Sequence, residues 1–120
     1  MPTKEEHQRQ YLNNKRLLQT TTFDLNQTTY YDWIITITFY CSLHLVEKYI
    51  GDKTGKHDMK HFERNKLAEC ESRLKRISDE YKTLYSESVR ARYKCERITK
   101  DDVIFANTLL KRIEDELVGY

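Results

Sequence analysis

Three sets of polar side chains stand at helical spacing in otherwise apolar segments. Tyr40, His44 and Glu47 form the first, His61 and Arg64 the second, and Ser88, Arg92 and Tyr93 the third. Side chains three or four residues apart share a helix face, so each set can act as a unit. A histidine near its ordinary pKa passes protons, and an arginine grips phosphate oxygens through two parallel bonds. If the three helices pack together, the sets converge on one aromatic-lined polar pocket with the parts for phosphate chemistry. The same residues also fit a structural role. Glu47 with Arg64 or Arg92 would be a buried ion pair that fixes helix register, and His44 a satisfied core histidine.

Other combinations lead less far. His57 and His61 are four apart, as two metal ligands on a helix would be, but Asp58-Met59-Lys60 between them makes no HExxH pattern, so no metal is expected. Cys41, Cys70 and Cys95 form no zinc-type spacing, and their odd number argues against a disulfide framework and for a reducing compartment. Cys41 reads as a small core residue, and Cys95 sits beside Lys94 and Arg97. The cluster Arg90, Arg92, Lys94, Arg97 and Lys100, with Tyr93, could follow a nucleic-acid backbone or simply be a solvated face. Gly51-Asp52-Lys53-Thr54-Gly55-Lys56 has glycines beside Lys and Thr, but the spacing of a phosphate-binding loop is wrong and no strand precedes it. It reads as a solvated connector.

The elements that must position these residues follow from periodicity. Tyr30 to Gly51 is the one long apolar run, and it is predicted to be a central helix buried on several sides. Trp33, Ile37, Tyr40/Cys41 and His44 would share one face, with Ile35, Phe39, Ser42 and Val46 on the other. Thr28 or Thr29 is the expected N-cap, with Asp32 in the first turn. A weakly amphipathic helix from about Lys4 to Phe23 precedes it, with Tyr11, Leu18 and Leu17 on its apolar side. A third helix is expected from Asp58, capped by that residue. Leu74, Ile77, Tyr81, Leu84, Ser88, Ala91 and Cys95 then mark one long helix from Glu71 to Lys94. Thr99 and Asp102 announce the last, whose stripe is Val103, Ala106, Leu110, Ile113 and Leu117, ended by Gly119.

The fold class is therefore all-α: a mostly antiparallel bundle of four to five helices in one domain over residues 1–120. With 21 Lys and Arg against 19 Asp and Glu, the net charge of +2 does not by itself announce a nucleic-acid partner. The N-terminus lacks the apolar core of a secretory signal, and Trp33 to Val46 is too short to span a bilayer. A soluble, cytoplasmic protein is expected, with no membrane partner and no cofactor.

Taken in order, Asp32-Trp33, Phe39-Tyr40, His44, Val46-Glu47, His61-x-x-Arg64 and Tyr81-x-x-Leu84-x-x-x-Ser88-x-x-x-Arg92-Tyr93 resemble the HEPN superfamily. The likeness runs from about Tyr11 to Leu117 and is nearest to small stand-alone bacterial and archaeal members. It implies a four- or five-helix bundle, often a homodimer, from toxin–antitoxin, defence or RNA-processing systems. Active members are metal-independent ribonucleases that use an Arg followed four to six residues later by a His on a late helix. Here Arg90 is followed at that spacing by Cys95, and no His occurs after His61. The leading expectation is thus a non-catalytic module that binds RNA, a nucleotide or a protein at Tyr40, His44, Glu47, His61, Arg64, Ser88, Arg92 and Tyr93. The alternatives are a divergent metal-independent ribonuclease using His44 or His61 as base and Arg64 or Arg92 to stabilise the phosphorane, and a purely structural dimerisation domain.

Overall fold

The central segment is too apolar to leave any side in water, and the other helices arrange themselves around it. A computed structural model describes residues 2–55 and 60–117, without the side chains of residues 61, 62 and 68–70. The elements are α1 (Lys4–Leu18), a 3-10 turn (Thr21–Phe23), α2 (Tyr31–Thr54), α3 (His61–Cys70), the single turn α4 (Ser72–Lys75), α5 (Ser78–Tyr93) and α6 (Lys100–Leu117). The fold is all-helical, with six α segments among the described residues rather than four or five.

α2 packs against α1, α5 and α6 at once. Ile35, Phe39, Leu45, Val46 and Ile50 on it are at most 1% exposed, which completes an apolar cluster with Tyr11, Leu74, Tyr81, Leu84, Val103 and Ile113. Pairs between helices fix their directions. Lys4 meets Asp52 at 3.4 Å and Lys48 Nζ donates to Gln8 at 2.9 Å, so α1 runs antiparallel to α2. Arg90 meets Asp102 at 2.8 Å and Arg112 meets Glu80 at 3.9 Å, so α5 and α6 are antiparallel too.

Several ends differ from expectation. α1 stops at Leu18, five residues before Phe23, because the Thr20 hydroxyl turns back onto the Leu17 carbonyl at 2.8 Å. Leu17 is exposed, while His7 joins Tyr11 on the buried face. α2 is capped at Tyr30, not at Thr28 or Thr29; the Thr28 hydroxyl instead accepts the Tyr30 N–H at 3.0 Å. The helix continues through Gly51 to Thr54 and ends at Gly55, whose φ of 73° glycine adopts without a Cβ clash. The connector read at Gly51–Lys56 is therefore helical from Gly51 to Thr54, and Lys56 lies outside the described residues. α3 begins at His61 with Lys60 as its cap; Asp58, the expected cap, lies outside the described residues, as do His57 and Gly119.

The long Glu71–Lys94 helix is broken. Glu71 is extended, and its Oε2 accepts the N–H groups of Arg73 and Leu74 at 2.9 and 2.8 Å. Tyr49 on α2 donates to its Oε1 at 2.6 Å. These bonds start a new turn without Gly or Pro, and Ile77 (φ −123°, ψ 16°) interrupts the chain again before α5. The stripe survives the breaks, since Leu74, Ile77, Tyr81, Leu84 and Ser88 are all buried and only Cys95 is exposed. In α6, Thr99 and Asp102 form the expected reciprocal cap and all five stripe residues are buried.

Cys95 follows the C-cap of α5 with a φ of 54°, the left-handed region that disfavours a Cβ. Cys95→Gly should raise stability by up to about 1 kcal/mol, seen as a melting point a few degrees higher. A lower melting point would show that the thiol makes a contact worth more than the strain.

Candidate nucleic-acid interface

Among the described side chains, the three polar sets do not converge on one pocket. They separate into a buried ion pair, a histidine pair and a surface arginine. Glu47 and Arg64 form the first: Nη1 of Arg64 lies 2.6 Å from Oε1 of Glu47, and the two side chains are 7% and 1% exposed. Arg64 Nε also donates to the Tyr81 hydroxyl at 3.2 Å. Burial alone would lower the Arg64 pKa, but Tyr81 and Glu47 outweigh it and hold the guanidinium charged. The set clamps α3 onto α2 and α5, and its groups are turned inward.

His44 is half-buried and meets α1: its Nδ1 lies 3.0 Å from Nδ1 of the buried His7, so one ring donates and the other accepts. Burial, then the neighbouring His7 and Arg64, push the His44 pKa down to about 4. Such an imidazole is neutral near pH 7 and a weak base. His61 stands at the start of α3 with its side chain outside the described atoms. Cys41 is fully buried, and burial first of all pushes its thiol up to about 12.

Arg92 differs from Arg64. Its Nε donates to the Ser88 carbonyl and its Nη2 to the Ser88 hydroxyl, both at 3.2 Å, while Nη1 donates to the Tyr40 hydroxyl at 3.1 Å. All its acceptors are neutral, and no described carboxylate forms an ion pair with it. The guanidinium lies 5.6 Å from the Tyr40 ring centre and 5.0 Å from that of Tyr93. Ser88 is itself fully buried, so it acts as a tether.

Two surface hollows adjoin Arg92. One, of about 420 Å³, is lined by Thr29, Tyr31 and Cys95 among others, and the second, of about 270 Å³, by Trp33, Thr36 and Tyr93. Asp32, Ala91 and Arg92 line both and form their common wall. Trp33 is 58% exposed and Tyr93 68%, so two large ring faces open to solvent around the smaller hollow. Lys94, Arg97 and Lys100 are exposed just beyond. Arg90, from the same basic cluster, is held instead by Asp102 at 2.8 Å.

Of the sequence-predicted residues, Tyr40, Ser88, Arg92 and Tyr93 thus come together. Glu47 and Arg64 pair elsewhere: Tyr40 and Glu47 are two turns, roughly 10 Å, apart along α2. Trp33 and Asp32 emerge as site residues that spacing had assigned to a helix face and a first turn. Nothing in the apolar pattern marked Trp33 as exposed, whereas His7 could have been found, four residues before Tyr11 on the same face. Among the described residues no group of three His, Cys, Asp or Glu side chains could hold a metal, and no helix is long and apolar enough to cross a membrane. No protein-family model, curated protein or solved structure matches the chain.

Proposed function

We propose that this protein is a non-catalytic, HEPN-like binding module that takes single-stranded RNA across Arg92. The observation that carries this reading is a guanidinium held in place by neutral groups, on the wall between two hollows and flanked by exposed Trp33 and Tyr93. A cation with no carboxylate of its own keeps its charge for a phosphate, and exposed rings stack bases with little regard to sequence. Asp32 and Glu96 line the larger hollow and would repel a phosphate there, so the hollows suit bases and Arg92 suits the phosphate between them. Lys94, Arg97 and Lys100, exposed on the following stretch of chain, add positive charge.

The ribonuclease alternative asks His44 or His61 to act as base and Arg64 or Arg92 to stabilise the phosphorane. The Glu47 pairing of Arg64 and the depressed pKa of His44 favour binding over that mechanism.

End-labelled single-stranded RNA, incubated in EDTA, should give a retarded band and no shortened product. Arg92→Ala and Trp33→Ala, checked for native helicity, should each weaken retention about tenfold, and added salt should weaken the wild type. Cleavage in EDTA that His61→Ala abolishes would replace this reading with the ribonuclease. No retention at low salt would sink it.

A further inference from the structure

The smaller hollow carries a feature that general RNA binding does not require. Its wall includes Asp32, whose carboxylate makes no hydrogen bond or ion pair with a described residue; only its backbone carbonyl is used, accepting the Thr36 hydroxyl at 2.8 Å. An exposed carboxylate is a poor neighbour for RNA phosphates, so its place beside Trp33 needs a different ligand group. Nucleobases differ in what they offer a carboxylate. Guanine presents N1–H and the 2-amino group side by side, two parallel donors that match the two oxygens. Adenine, cytosine and uracil lack that pair. Trp33, next to Asp32 on α2, and Tyr93 on α5 supply the stacking faces of the same hollow.

We infer that the hollow between Trp33 and Tyr93 is a guanine subsite, with Asp32 accepting the N1–H and 2-amino hydrogens of a base stacked on Trp33. This rests on the proposed reading of the Arg92 surface and adds the base that it selects. Arg92, on the same wall, holds the 5′-phosphate of that nucleotide. Thr36 and Ala91 complete the lining of the hollow with small side chains.

Trp33 is the only tryptophan in the chain, so its fluorescence reports on this hollow alone. GMP, IMP, AMP and UMP, titrated separately into the whole protein, give the test. GMP should quench Trp33 at a concentration about fivefold or more below AMP, since a matched bidentate pair discriminates by at least that factor. IMP, which keeps N1–H and lacks the 2-amino group, should fall between. Asp32→Asn should bring GMP to the AMP level, because an amide offers one acceptor and a clashing donor. Equal quenching by all four would overturn the guanine subsite and leave RNA binding standing. Retention of RNA without quenching by any nucleotide would also overturn it, placing the bases elsewhere. Loss of both quenching and retention would remove this inference together with the reading beneath it.

Discussion

Glu47→Ala is expected to cost about 3–5 kcal/mol, as large as the loss of a buried aromatic from the core. Removal of the carboxylate leaves the Arg64 guanidinium inside, 2.6 Å from where its partner stood and with only 7% of its side chain in contact with solvent. The Tyr81 hydroxyl, at 3.2 Å, cannot replace a full charge. A domain of this size has only about 5–15 kcal/mol of stability, so the variant should unfold at much lower urea. Pairing Glu47→Leu with Arg64→Met should recover most of the loss, because the cost lies in a buried charge stripped of its carboxylate and not in the missing attraction. Urea denaturation of the three proteins decides the matter: a loss below about 1 kcal/mol for Glu47→Ala would mean that water reaches Arg64.

Acidification should produce the second large effect. His44 titrates near 6.5 in the unfolded chain and about 4 in the fold, chiefly through burial and then through His7 and Arg64. The unfolded state therefore binds the proton first. The contribution of the neutral ring is complete above pH 6.5, declines as the pH falls, and is lost below about 4. With the ring half-buried and partly screened, about 2 kcal/mol should disappear across that window. The groups around it reinforce the direction: His7 on α1 and Arg64 on α3 both oppose a positive imidazole, while Glu47 is already paired. Urea denaturation at pH 7 and pH 4.5 should show the loss, and His44→Gln should flatten it. An equally steep decline in His44→Gln would assign the acid sensitivity to other groups.

Periodicity made the fold legible where burial is one-sided. The stripe of α6 and its Thr99–Asp102 cap follow directly from sequence, since each apolar residue faces one core and each polar one faces water. α2 was legible as a helix but not in its faces. A rod buried nearly all round gives no contrast, so nothing in the run Trp33 to Val46 marks Trp33 as the residue left outside. The break at Glu71 was hidden for another reason. Glutamate is not a favoured cap, and it serves here because Tyr49, distant in sequence, holds its other oxygen. The candidate site behaved likewise. Spacing identified Arg64 and Arg92 as equals, but which of them meets a carboxylate depends on the docking of α3, a tertiary fact.

The tethering of Arg92 has a consequence for affinity. An arginine on an open surface samples many rotamers, and freezing it against a ligand costs about 2 kcal/mol of side-chain entropy. Here the Tyr40 hydroxyl and both oxygens of Ser88 already fix the guanidinium while the chain folds. That loss of freedom falls on the folding equilibrium, before any phosphate arrives. The incoming ligand meets a preorganised fork, and more of each contact appears as binding free energy.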